Sequence, residues 1–270
     1  MILLVTGANG GIGRLLRPRL ARPGRTLRLL DIASQEPVGP HEDVELVTAS
    51  VTDPDAMAAA CAGVDAVLHL GGYSMEAPWP DILSVNVDGT RTVLEAARHA
   101  GVPRVILASS NHAVGYYTRA DAGPDGIPAD APARPDTYYG FSKVAMEALG
   151  SLYHERYGMG VLCLRIGTCL AKPGSVRGLS TWLSPDDGAR LVEACLAVPE
   201  PGFRLIWGIS RNTRRWWSLA AGEEIGYHPV DDSEVYAAES LVGSEPDLDD
   251  PVLNVLGGPF CTVPLGSRMQ

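Results

Sequence analysis

The 270 residues carry 22 Lys and Arg against 32 Asp and Glu, giving a net charge of −10 and a pI near 5.0. A surface this acidic repels a phosphate backbone, which excludes general nucleic-acid binding. At 46% hydrophobic and 20% charged, with a mean hydropathy of +0.04, the chain is apolar enough to fold around a core, and it has no run of transmembrane length, so no membrane partner is expected.

The length suits one large α/β core with an appended lobe. Cys61, Cys163, Cys169, Cys195 and Cys261 are scattered and include no C-x-x-C pair, so neither disulfides nor a metal site is signalled. Met1–Val5 is apolar but lacks a basic leader and runs straight into glycines, so a cytoplasmic location with reduced thiols is expected.

In chain order, Ile2-Leu3-Leu4-Val5-Thr6 is a continuous apolar run, as in a parallel strand covered on both faces. Gly7-Ala8-Asn9-Gly10-Gly11-Ile12-Gly13 follows and opens an amphipathic helix to about Arg22. Strand, glycine turn and helix is the dinucleotide-binding order: the glycines admit a pyrophosphate close to the backbone, and the helix N-terminus receives its charge. A tight βα turn without a ligand has the same pattern. The strand Thr26–Leu30 ends at Asp31, eighteen residues after Gly13, where an acid takes ribose hydroxyls and repels a 2′-phosphate; NAD is therefore preferred over NADP.

Val44–Thr48 reads as a third strand leading to Ser50-Val51, and Asp53-Pro54 as cap and first turn of a helix to about Gly63. Asp65–Leu70 is a fourth strand, and Gly71-Gly72 after it again brings backbone near a ligand. A helix containing Asn86, Leu94 and Ala97 ends at Gly101, and Val102–Ala108 is a fifth strand with Ser109-Ser110-Asn111-His112 at its carboxyl end. The Gly/Pro/Asp-rich stretch from Thr118 to Asp136 is long for a loop and reads as a lid or an insertion.

A helix from about Thr137 to Tyr157 begins with Tyr138-Tyr139-Gly140-Phe141-Ser142-Lys143. Tyr139 and Lys143 are four apart and share a helix face, which Tyr138 does not. Only two of the basic residues are lysines, Lys143 and Lys172. An ammonium beside a phenol favours phenolate, and lowering a tyrosine by ~2 units requires about 2.7 kcal/mol. A packed aromatic and a solvated charge on an amphipathic helix would also explain the pair. Beyond it come a strand at Val161–Arg165, a helix opened by Ser184-Pro185 and running to about Val198, and a last strand at Phe203–Trp207. The expectation is an α/β, Rossmann-like doubly wound parallel sheet with helices on both faces and a small C-terminal substrate lobe. Residues 1–165 would bind NAD and carry catalysis, and 166–270 would form the smaller lobe, packed with the first as one unit.

The Gly7/Gly10/Gly13 turn, Asp31, Ser110 and Tyr139-x-x-x-Lys143 together resemble the extended short-chain dehydrogenase/reductase family. More narrowly, His69-Leu70-Gly71-Gly72, Ser109–His112 with Gly115-Tyr116-Tyr117, Arg165–Cys169, Leu179–Trp182 and Trp216-Trp217 resemble the uronate dehydrogenases within it. The resemblance implies Tyr139 as base, Lys143 as its charge partner and ribose contact, and Ser110 as the hydroxyl that orients the reacting oxygen. It implies Gly7, Gly10, Gly11, Ile12, Gly13, Asp31, Ser50, Val51, Leu70, Gly71 and Gly72 along NAD, and Ser74, Asn111, His112, Thr168 and Arg177 around a hexuronate. Arginine offers a bidentate fork to a carboxylate, which fits Arg177. The implied reaction oxidises C1 of a cyclic hexuronate to an aldarolactone, in a homo-oligomer.

Three positions depart from the family pattern: Ser50 stands for an aspartate, Thr168 stands for a serine, and Ala120–Ala131 is longer. A nucleotide-sugar epimerase or dehydratase would share Tyr139 and Lys143 but is usually longer, and a non-catalytic NAD-binding regulator generally lacks the pair. Among other polar residues, His69 reads as structural, His154-Glu155 lacks the second histidine of a zinc motif, and Arg211, Arg214 and Arg215 beside Trp216-Trp217 read as ordinary packing and solvated charge.

Overall fold

The computed structural model describes residues 1–35, 39, 42–241 and 245–269. Strands β1 (Ile2–Thr6), β2 (Thr26–Asp31), β3 (Val44–Thr48), β4 (Ala66–His69), β5 (Arg104–Ser110), β6 (Gly160–Ile166) and β9 (Phe203–Gly208) form one parallel sheet in the order β3-β2-β1-β4-β5-β6-β9. The order reverses at β1, so the crevice between the carboxyl ends of β1 and β4 is where such sheets admit ligands. A two-stranded unit, β7 (Thr168–Cys169) with β8 (Trp182–Leu183) and the short helix α6 (Gly178–Thr181) between them, lies just beyond β6.

The apolar runs are buried on both faces, as their continuity demands. On one face Leu3, Leu27, Leu68, Ile106 and Leu164 pack against α1 (Gly11–Leu20) and α7 (Pro185–Ala197). On the other, Leu4, Val67, Val105 and Val161 meet α2 (Pro54–Cys61), α4 (Gly89–His99) and α5 (Tyr138–Tyr157). The C-terminal part of the chain thus supplies both the strand β9 and the helix α7 to the main sandwich, besides the smaller pieces above the strand ends. Among the described residues no helix is long and apolar enough to cross a membrane.

Helix ends follow local chemistry. Asp53 caps α2, Ser184 caps α7 and Thr137 caps α5, whose other end closes on Gly158 at φ 69. The helix expected through Asn86 is broken into α3 (Trp79–Asp81), a wide π-helical turn (Ile82–Asp88) and α4. There Asn86 is buried and bonds Tyr73 N at 2.7 Å, Tyr73 O at 3.0 Å and Ser142 Oγ at 2.9 Å, tying the stretch after β4 to α5.

The segment 118–136 is packed onto the rest of the chain: Ile127, Ala129 and Ala131 bury against Trp207, Trp217 and Leu256, and Ile127 O accepts from Trp207 Nε1 at 2.9 Å. Trp216-Trp217 belongs to this packing, and Arg211 and Arg214 pair with Glu223, Glu234 and Glu245, as ordinary packing requires.

Candidate active site

The glycine turn and the end of β4 interlock. Gly7 has φ 66, and a β-carbon on it would fall 2.7 Å from Gly71 Cα; one on Gly71 would meet Val51 Cγ1 at 2.9 Å. Gly71 is therefore wedged between Gly7 and Val51, with Leu70 N bonded to Thr6 O beside it. Gly13 rests on Ala8, where a β-carbon would lie 2.4 Å from the carbonyl oxygen. Gly11, by contrast, faces open space, and α1 has no side-chain cap, so the N–H groups of Gly11 and Ile12 are open to an anion. Asp31 ends β2 next to this turn, its Oδ2 accepting Asn9 N at 2.8 Å and its Oδ1 Ala33 N at 3.0 Å. This glycine cradle with a carboxylate at its edge fits NAD. Gly10 donates to Gly7 O, Gly72 is exposed at φ 138, and Ser50 bonds Thr52 Oγ1 at 2.8 Å rather than presenting a carboxylate.

At the end of β5 the ladder runs two residues further than expected, because Ser109 and Ser110 still pair with Arg165 and Ile166 of β6. Ser110 Oγ then accepts His112 N at 3.2 Å and reaches Asn111 Oδ1 at 3.5 Å. The spacing in α5 places Tyr139 and Lys143 on the buried face, 6% exposed each, while Tyr138 turns to Trp79. Glu147, one turn on, is locked in a buried fork with Arg165 at 2.9 and 2.8 Å and accepts Ser109 Oγ at 2.5 Å. Removing one partner of such a pair costs several kcal/mol, ~3–5, so the platform under Lys143 is rigid.

Lys143 lies close beneath Tyr139. Its Nζ donates to Ala108 O at 2.8 Å and lies over the Tyr139 ring, 5.3 Å from the centroid. Burial pushes Tyr139 up to about 12, with Ser110 pulling the other way and Asp136 adding to the rise. Burial also draws Lys143 down to about 8, against the Glu147 carboxylate.

Of the residues expected around a substrate, the structure gathers Ser110, Asn111, His112 and Tyr139. Asn111 Nδ2 and Arg177 Nη2 share the carbonyl of Leu256, which brings Arg177 to the same place. Arg177 Nε is buried without a hydrogen-bond partner, and burial draws the guanidinium down to about 10. Thr168 bonds Thr181 Oγ1 at 2.8 Å, and Ser74 stands exposed two residues past Gly72.

Several site residues had no signal of their own. Phe260 stacks on His112 at 3.9 Å between centroids. Glu76 is 1% exposed and holds Tyr139 N with one oxygen at 2.8 Å and Gly266 N with the other at 2.7 Å, so it joins the catalytic helix to the chain end. Asp136 sits against His112 at 2.7 Å and follows only a cap-like Pro-Asp-Thr pattern.

A seven-stranded parallel sheet with a glycine cradle at β1 and a Ser, Tyr and Lys group at β5 and α5 defines a dinucleotide-dependent enzyme of the short-chain type. Residues 3–183 match the NAD dependent epimerase/dehydratase family, to which the chain belongs. Within that family it stands with the uronate dehydrogenases. The uronate dehydrogenase of Pseudomonas syringae pv. tomato is 42% identical over 268 residues, 98% of this chain and 95% of that one. The crystal structure of a mutant uronate dehydrogenase from Agrobacterium tumefaciens complexed with NAD superposes with a TM-score of 0.89 at 39% identity, covering 97% of both chains. That of a glucuronic acid dehydrogenase from Chromohalobacter salexigens gives 0.90, also at 39% identity and covering 97% of this chain.

Proposed function

We propose that this protein oxidises the C1 hydroxyl of a cyclic hexuronate, glucuronate or galacturonate, to the aldarolactone with NAD. The observation that carries this reading is Arg177: a guanidinium with a buried, unpartnered Nε and no carboxylate at ion-pair distance among the described residues, adjoining the Ser110, His112 and Tyr139 group. A buried arginine left short of partners is a receptor for an incoming carboxylate, and a hexuronate supplies one at the end of the sugar far from C1. The uronate and glucuronic acid dehydrogenases that share the whole fold support the same substrate class, and the NAD complex of one of them supports the cofactor.

Tyr139 removes the proton of the anomeric hydroxyl, and Ser110 holds the same oxygen. As the O–H bond breaks, the C1–H electron pair leaves as hydride and C1 becomes the lactone carbonyl. NAD supplies the hydride acceptor, while the protein fixes distance and charge. A phenol at about 12 is a poor base near neutrality, so the Lys143 charge under the ring and the Ser110 hydroxyl must stabilise the phenolate in the loaded enzyme. Asp31 favours NAD over NADP by repelling a 2′-phosphate.

NAD reduction followed at equal concentrations of glucuronate, galacturonate, glucose and a nucleotide sugar tests the reading. Turnover of both uronates with little on glucose is expected. Turnover of glucose without glucuronate would remove the carboxylate-binding role of Arg177.

A further inference from the structure

The substrate reading leaves a buried carboxylate without a role. The side chain of Asp136 is fully buried, with Oδ2 2.7 Å from His112 Nδ1 and Oδ1 accepting the Thr137 hydroxyl at 2.8 Å. That hydroxyl itself accepts Gly140 N at 3.0 Å, which leaves its proton for Asp136. The seat is close-fitting: a β-carbon at Gly115 or Gly257 would fall 2.0 Å from Asp136 Oδ2, and one at Gly140 would fall 2.8 Å from Oδ1. Three separate stretches of chain thus keep glycine around one carboxylate. A carboxylate only accepts, so His112 Nδ1 is the nitrogen that carries a proton.

The ring is fixed as well. Phe260 stacks on it at 3.9 Å, and Tyr139 meets it edge-on with centroids 5.7 Å apart. Burial holds His112 below its usual range; Asp136 opposes this and the nearby Arg177 cation adds to it. A neutral imidazole with its proton on Nδ1 has a bare lone pair on Nε2, the nitrogen on the far side of the ring from Asp136. Among the described residues Nε2 has no hydrogen-bond partner. The charged and titratable groups around the pair are Tyr139, Arg177 and Cys261. None of them is a carboxylate that could draw the proton to Nε2.

We propose that Asp136 is a positioning residue that holds His112 as the Nδ1–H tautomer, so that Nε2 meets the substrate as a hydrogen-bond acceptor for a sugar hydroxyl. The identity of that donor rests on the hexuronate reading, whereas the tautomer does not. A ring hydroxyl of a sugar both donates and accepts, so a bare Nε2 beside Tyr139 selects its donating orientation, whereas an Nε2–H would reverse the direction of that hydrogen bond and disturb the hydroxyl's bonds to its other neighbours.

The test is 15N NMR of protein labelled at its six histidines, with His112 assigned through His112→Gln, alongside kinetics of Asp136→Asn. In the wild type at mildly alkaline pH, His112 should show Nδ1 protonated and Nε2 bare. The amide of Asp136→Asn can donate to Nδ1, so the Nε2–H form should appear. Then kcat/KM for glucuronate should fall about tenfold, mostly through KM, the worth of one lost hydrogen bond, with NAD binding unchanged. A wild-type His112 protonated on Nε2 overturns the proposal, even if Asp136→Asn fails to fold. An unchanged tautomer in Asp136→Asn also overturns it, as does a swapped tautomer with unchanged KM. If the wild type shows the Nδ1–H form yet oxidises no uronate, the hexuronate reading falls while the tautomer assignment is upheld.

Discussion

The two edges of the sheet each hold a guanidinium among backbone carbonyls, and they use it differently. At the amino-terminal edge Arg104 donates to the carbonyls of Cys195, Leu196 and Val198, closing the end of α7. Asp65 there accepts Ile2 N at 2.6 Å, and the terminal ammonium donates to Gly24 O at 2.9 Å. A cavity of about 640 Å3 opens at that edge, lined by Met1, Asp65, Arg104 and Gly160 among others, yet the polar groups named are all engaged. At the carboxyl-terminal edge Arg177 reaches one carbonyl and leaves Nε without a partner, and His112 has a bare nitrogen. Room alone does not make a site. Nor does an unpartnered atom alone, since Arg25 Nε, just before β2 at the amino-terminal edge, is also without a partner while its other nitrogens are held by Leu20 O and Glu193; Arg177 differs in having no carboxylate at ion-pair distance among the described residues.

Substitution at the two edges should therefore give opposite signatures. The largest effect belongs to Tyr139→Phe, which keeps the buried ring and removes only the proton acceptor. It should lower kcat by ~10²–10⁴ with NAD affinity and melting temperature unchanged. Stopped-flow and thermal melts decide this, and a rate within tenfold of wild type would end the base assignment. Next is Arg177→Met, expected to lower kcat/KM for glucuronate on the order of a hundredfold, ~2–3 kcal/mol, mainly through KM. Its stability should hold or rise, since a buried guanidinium short of partners is costly. Arg104→Met should do the reverse, leaving KM intact and costing about 2 kcal/mol in denaturant unfolding as the last carbonyls of α7 lose their donor. If Arg104→Met raised KM, or Arg177→Met cost stability and left KM alone, the contrast between the edges would fail.

What the sequence discloses about each edge follows from range. The βα alternation, the caps at Asp53 and Ser184, and the Tyr139–Lys143 face are set by residues within one or two turns of each other, and periodicity and cap chemistry report them. The extension of β5 through Ser109 and Ser110 was hidden because the apolar run stops at Ala108 while pairing with β6 continues. The tail is the extreme case: Glu76 and Gly266 bond across 190 residues, and Phe260 reaches His112 from near the chain end. No local pattern encodes those meetings. Lys143 shows a subtler limit, since its spacing names its neighbour on the helix but not Ala108 O, which takes its proton donor.

His69 sharpens the contrast from inside the carboxyl-terminal edge, where not every polar group is poised for a ligand. It ends β4, is fully buried, and is engaged at both nitrogens by Thr6 Oγ1 at 2.7 Å and Thr90 Oγ1 at 3.3 Å. Burial, helped by the Lys143 charge, draws it down to about 3 from the usual 6.5, so the folded protein keeps it neutral. The unfolded chain protonates it below about 6.5 and the folded chain does not. The His69 contribution to stability should therefore be flat above that pH and fall by about 1.4 kcal/mol per unit below it, as far as the folded value. Between pH 7 and pH 5 this amounts to about 2 kcal/mol. His69→Gln keeps a donor and an acceptor without the titration, so its melting temperature should lose that share of the acid sensitivity. A variant whose melting tracked the wild type at every pH would show that His69 is not held neutral and would return it to the titrating groups of the site.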